Sequence, residues 1–172
     1  VTAPVMVLVG PPGAGKSSVG AVLAGRLDVP LHDTDAAVEA AAGRTISDIF
    51  VQDGEAAFRA LERAEVLRAL ADEPGVVSLG GGAVMQDEVA AALREGGHRV
   101  VFLDVSIADA ASRVGFDASR PLLVVNPRAA WTRLMDARRP TYEALATVRV
   151  HTGGKSVEQV ADEVLAALEV AG

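Results

Sequence analysis

Short apolar runs alternate along the chain with longer stretches in which apolar and polar positions repeat at a period near 3.6. The runs are Val5 to Val9, Pro30 to Asp33, Val76 to Leu79, Val100 to Asp104 and Thr147 to Val150. Each has the length of a buried strand, and the segments between them have the length and period of helices. Strand and helix in strict alternation predict an α/β fold, a parallel sheet covered by helices on both faces. The last helix is the most regular. Ser156 and Gln159 have the spacing of a capping box, and Val157, Val160, Ala161, Val164, Leu165 and Leu168 then form one stripe. Thr45 and Asp48 form a weaker cap of the same kind, and "AAVEAAAG" reads as a compact, closely packed helix. No linker, repeat or low-complexity segment divides the chain, so residues 1–172 are expected to form a single domain. One stretch breaks the pattern: "GFDASRPLLVVNP", about 115–127, has Gly, Pro and Asn but no period, and reads as a mobile lid.

Composition narrows the possible partners. Half of the residues are hydrophobic, enough to bury a sizeable core. The net charge of −7 argues against a nucleic-acid surface, which needs a basic stripe. Without cysteine there is no disulfide framework, in keeping with the cytoplasm. The apolar run Val5 to Val9 is too short to span a membrane. A monomer acting on small metabolites is the expectation. The chain carries two lysines, Lys16 and Lys155, against fourteen arginines; Lys16 stands in a motif that requires it.

That motif is "GPPGAGKSS", Gly10 to Ser18, directly after the first strand. It fits the phosphate-loop pattern G-x-x-x-x-G-K-[ST]. Gly10, Gly13 and Gly15 let the backbone wrap an anion, with Ala14 between them, and the following helix N-terminus adds positive potential. In such a loop Lys16 reaches the β- and γ-phosphates of ATP, and the Ser17 hydroxyl ligates Mg²⁺. Ser18 is read first as a packing residue of the helix. The loop identifies a phosphate donor and leaves the acceptor open.

Further polar residues cluster where open α/β sheets bind ligands, at the carboxyl ends of strands. "LHDTD" places Asp33 and Asp35 there. One could hold Mg²⁺ and the other orient an acceptor hydroxyl and take its proton, or else Asp33 ends the strand and Asp35 caps a helix from Ala36. His32 is read as a strand side chain, and Asp104 as the alternative metal carboxylate. Arg59, Glu62 and Arg63 share one helix face, with Phe58 and Leu61 able to turn to the core. Gly80, Gly81 and Gly82 end the third strand with bare backbone, where a small polar ligand can come close. Arg120 lies in the lid, and Arg138 and Arg139 in "RRPTY".

In this order the P-loop, "DTD", "GE..FR..E", "GGG", "RPLL" and "R.P.Y" resemble the shikimate kinase family, P-loop kinases of the nucleoside monophosphate kinase-like fold. The resemblance runs from Gly10 to about Tyr142. It implies a three-layer fold with a five-stranded parallel sheet in the order 2-3-1-4-5, an acceptor-binding region over about 35–63, and shikimate as the phosphoryl acceptor. Residue by residue it implies Asp33 beside Mg²⁺, Asp35 on the shikimate hydroxyls as base, and Arg59 and Arg138 on the carboxylate, with Glu62 fixing the arginines. Gly80, Gly81 and Gly82 would contact substrate, Arg120 the transferring phosphate, and Arg113 the adenine. The phosphate loop from Gly13 through Ser18 would hold the nucleotide. Arg63 and Arg139 are left as surface residues. Where several relatives sandwich the adenine with proline, this chain has Val157. The alternatives are a gluconate-type or adenylate-type kinase, or a nucleotide-binding module without turnover; the intact acceptor set of Asp35, the glycine triplet and Arg120 weighs against the last.

Overall fold

A computed structural model describes residues 4–114 and 126–171, without the side chains of 113 and 114. In chain order the strands are β1 (Met6–Val9), β2 (Leu31–Asp33), β3 (Val76–Ser78), β4 (Val100–Asp104) and β5 (Val148–His151). The helices are α1 (Lys16–Leu27), α2 (Thr34–Ala42), α3 (Ile46–Asp53), α4 (Glu55–Asp72), α5 (Asp87–Glu95), α6 (Ile107–Val114), α7 (Pro127–Leu145) and α8 (Val157–Ala171), with a 3₁₀ turn at Ala83–Met85. All strand pairs are parallel, in one sheet of order β2-β3-β1-β4-β5. Each strand lies within two residues of its expected bounds. β1 and β4 are buried along their whole length, as strands covered on both faces must be.

The main core joins β1, β3 and β4 to α1, α5, α7 and α8. On α8 the stripe is as expected: Val160, Ala161, Val164 and Leu168 are buried. The capping box closes in both directions, Gln159 N–H donating to Ser156 Oγ at 3.1 Å and Ser156 N–H to Gln159 Oε1 at 2.8 Å. The Thr45 cap forms in one direction only. Asp48 N–H donates to Thr45 Oγ1, while the carboxylate that receives the Ile46 N–H is Glu39 on the preceding helix.

A second, smaller core of Val38, Ile49 and Phe58 lies where α2, α3 and α4 meet, with Ile46 and Phe50 packed on it. This trio of helices extends from the sheet as one wall of the site. Leu61 does not turn to the core. It is 41 % exposed, and the buried position of that turn belongs to Glu62, because the face of α4 that meets the body of the protein there is the polar floor of the site.

Candidate active site

β1 ends at Val9 and the chain turns through the phosphate loop into α1. Gly10 cannot be any other residue without strain: its φ is +150°, and a Cβ there would stand 2.5 Å from the Leu103 carbonyl oxygen of β4. Gly13 and Gly15 also take positive φ, at 85° and 89°. Lys16 Nζ donates to the Gly10 carbonyl at 2.7 Å and the Pro11 carbonyl at 3.2 Å, so its ammonium lies folded over the loop that it serves. Ser18 is exposed and lines the cavity, not the helix packing.

Asp33 has two tasks. One oxygen caps α2 by accepting the Ala36 N–H at 3.1 Å, and the other accepts the Ser17 hydroxyl at 3.1 Å. The helix cap is therefore Asp33, and Asp35 sits in the first turn of α2. A carboxylate and a hydroxyl already in contact beside a phosphate loop form the sparse oxygen set suited to Mg²⁺, which takes its other ligands from water and phosphate. Between the two acids, buried Thr34 donates from its hydroxyl to the Ser78 carbonyl at 3.3 Å and so ties the end of β2 to the residues before the glycine triplet.

The triplet owes its composition to what lies above it. A Cβ on Gly80 would stand 2.6 Å from Asp35 Oδ1 and 2.9 Å from Glu62 Oε2; on Gly81, 2.9 Å from Arg138 Nη1; on Gly82, 2.7 Å from both terminal nitrogens of Arg59. Each glycine makes room for one of the side chains predicted to hold the acceptor. Glu62, 1 % exposed, receives Arg59 Nη1 at 2.7 Å and Gln86 Nε2 at 3.1 Å. Arg59 also lies over the Phe58 ring, 5.2 Å from its centroid. A buried carboxylate paired in this way fixes the guanidinium it holds.

α7 supplies Arg138, 6 % exposed, and two residues that the sequence alone did not single out for the site. The Tyr142 hydroxyl donates to the Gly81 carbonyl at 2.5 Å. Burial pushes its pKa up to about 12, so it stays protonated and continues to donate. The Trp131 indole N–H donates to the Pro12 carbonyl at 3.0 Å.

One expectation needs correction. Arg139 is no plain surface residue: its two terminal nitrogens grip the buried Asp104 at 2.9 and 3.0 Å, and Arg149 adds a third contact at 3.1 Å. Burial alone would raise the Asp104 pKa, but these arginines hold it below the ordinary carboxylate range. Asp104 is thus committed to an ion pair, leaving Asp33 as the carboxylate against Ser17. His32 sits on β2 as expected, bonded through Nε2 to Glu65 at 2.7 Å. Arg63 is partly exposed and pairs with Glu88.

The loop, the two aspartates and the acceptor residues open on a single cavity of about 990 Å³. One wall is the loop Pro12 to Ser18, and the other carries Asp33, Asp35, Arg59, Glu62, the glycine triplet and Arg138. Glu39, Thr45, Ser47 and Phe50 complete it from α2 and α3, a contribution with no motif to announce it. Of the expected lid, residues 115–125 with Arg120 lie outside the described residues, as does the side chain of Arg113, while Pro127 begins α7. Among the described residues no cluster of three or more His, Cys, Asp or Glu forms a protein-only metal cage, and no helix is long and apolar enough to cross a membrane.

The family model for shikimate kinase matches residues 12–169. A shikimate kinase of Thermobifida fusca is 54 % identical over 169 residues, covering 98 % of this chain and 97 % of that protein. One of Salinispora arenicola is 56 % identical over 166 residues, covering 96 % and 98 %. Among solved structures, shikimate kinase from Acinetobacter baumannii in complex with shikimate superposes with a TM-score of 0.92 at 31 % identity, covering 99 % of this chain and 94 % of that one. A gluconokinase from Sinorhizobium meliloti covers 99 % of this chain and 94 % of its own with a TM-score of only 0.61 at 25 % identity.

Proposed function

From the premise that this chain belongs to the shikimate kinase family, an ATP-dependent kinase acting on shikimate, we propose a division of labour at its site. The γ-phosphoryl group of ATP passes in line to the 3-hydroxyl of shikimate. The bond from phosphorus to the acceptor oxygen forms as the bond to the β–γ bridging oxygen breaks, and ADP leaves with that oxygen. The observation that carries the assignment is the glycine triplet: its bare backbone lies between the phosphate loop and the acceptor side chains, with Asp35, Arg138 and Arg59 each seated over one glycine.

Asp35 aligns the hydroxyl and takes its proton, while Asp33 provides the helix cap. Arg59 and Arg138 present guanidinium forks to the shikimate carboxylate, and Glu62 keeps Arg59 oriented. Lys16 and the loop N–H groups of Gly13 to Ser18 meet the phosphates. Ser17 and Asp33 fit Mg²⁺, which when bound neutralises phosphate charge. Arg120 in the lid is assigned to the transferring phosphate and Arg113 to the adenine by family resemblance. A single-domain monomer in the cytoplasm, engaging neither nucleic acid nor membrane, belongs to the same proposal.

An ADP-release assay with shikimate, gluconate, AMP and no acceptor tests it. Turnover with shikimate alone is expected. Equal or faster turnover with gluconate or AMP would overturn the assignment of the acceptor wall.

A further inference from the structure

The reaction so described makes no use of the chain's one tryptophan. Trp131 is buried near the start of α7, and a buried indole N–H ordinarily finds an acceptor. The acceptor here is part of the phosphate loop itself. Of the three carbonyls that open the loop, those of Gly10 and Pro11 receive Lys16, from the loop's own helix, and that of Pro12 receives Trp131, from a helix more than a hundred residues further on.

The consequence follows from peptide geometry. In a trans peptide the carbonyl and the next N–H point in opposite directions from one rigid plane. Holding the Pro12 carbonyl outward on Trp131 therefore fixes the direction of the Gly13 N–H. Gly13 has φ +85° and no side chain to resist rotation of that plane, so the constraint has to come from outside the residue. The same helix also reaches the acceptor floor. Arg138 lies over Gly81, Tyr142 donates to the Gly81 carbonyl, and a Cβ on Gly81 would stand 3.4 Å from Pro12 Cδ. One helix thus grips the loop and the floor at neighbouring points.

We infer that Trp131 is a positioning residue for the nucleotide: its N–H holds the Pro12–Gly13 peptide plane in the orientation that aims the Gly13 N–H at a phosphate. The inference rests on the loop being the ATP site, as proposed above. Two variants test it. Trp131→Phe removes the donor and some volume; replacing Trp131 with 3-benzothienylalanine, in which sulfur takes the place of the N–H, removes the donor and keeps the shape. Both are measured by calorimetric titration of ADP and, separately, of shikimate, with steady-state kinetics alongside.

Nucleotide affinity is expected to fall about five- to tenfold in both variants, the scale of one lost neutral hydrogen bond. Shikimate affinity without nucleotide should hold, and kcat at saturating ATP should stay within about twofold, as loss of a ground-state binding contact requires. Nucleotide affinity equal to wild type in the benzothienyl variant would overturn the inference, and so would equal losses for both ligands. Failure of the underlying reading looks different: wild-type protein that binds no ADP, or binds it equally well after Lys16→Ala, would remove the ATP site itself.

Discussion

The phosphate loop is one run of backbone, Gly10 to Ser18, whereas the acceptor wall is assembled from Asp35 on α2, Arg59 on α4, the triplet after β3 and Arg138 on α7. The loop is rooted in the main core, beside the fully buried Val7, Leu8 and Leu103. Of the acceptor wall's helices, α2 and the first turn of α4 rest on the satellite core of Val38, Ile49 and Phe58, while α7 packs into the main core. A triphosphate can be held by any chain that aims enough N–H groups at it, so its site is backbone and local. Recognition of one small acid among many needs directed side chains, and these must be drawn from wherever the fold brings them. Glycine shows the contrast well. In the loop it supplies positive φ and clearance from another backbone; in the triplet, where Gly82 has an ordinary φ of −95°, it supplies only the space that a guanidinium fills.

If the halves divide the work in this way, Asp35→Asn has the largest effect. Turnover should fall by about 10²–10⁴-fold, the range for loss of a general base, with ATP affinity unchanged. Asp33→Asn should instead raise the Mg²⁺ concentration needed for half-maximal rate. Near-normal turnover in Asp35→Asn would remove it as the base.

The glycines come next. Gly10→Ala must move the backbone of β4, and denaturant titration should show a loss of at least about 2 kcal/mol. Gly82→Ala meets first the guanidinium of Arg59, a side-chain end that can shift at the cost of its contact to Glu62. Its stability should stay within about 1 kcal/mol of wild type while shikimate affinity falls about tenfold, since the clash displaces the fork that binds. Equal stability losses would erase the distinction between the two uses of glycine.

The smallest effect concerns the tie between the halves. Asp104 ends β4, whose Leu103 carbonyl abuts Gly10, and its partner Arg139 neighbours Arg138. Because the native pKa of Asp104 is lowered from its ordinary 3.8, the pair's stabilisation is complete above that value and lost as pH falls through the lowered one. Asp104→Asn should cost about 1–2 kcal/mol at neutral pH, a modest figure because the arginines are partly exposed. The gap to wild type should close in strong acid. A gap that persists there would mean that packing, and not charge, sets the contribution.

How much of this was legible follows from the same contrast. The five strands, the capping box at Ser156 and the phosphate loop are local patterns, and their sequence signals carried to within two residues. Asp35, Arg59 and Arg138 were legible as members of an ordered motif set, not from their own surroundings. What escaped depends on contacts distant in sequence. Leu61 has the right period for the core, but Glu62 takes the buried position because a polar floor lies opposite. Arg139 looks solvated until β4 brings Asp104 beneath it, and Thr34, Trp131 and Tyr142 act through carbonyls some 44, 119 and 61 residues away. No local pattern encodes such pairings. α7 even runs through Pro140, where a helix would be expected to break.

The central claim, that the acceptor is read by arginine forks independently of the phosphate loop, is tested most directly by titrating shikimate and ADP into Arg59→Lys and Arg138→Lys. Each change keeps the charge and loses the paired, directed bonds. Shikimate affinity should weaken by about 2–5 kcal/mol in either variant while ADP affinity stays put. Unchanged shikimate affinity, or equal losses for both ligands, would contradict the account.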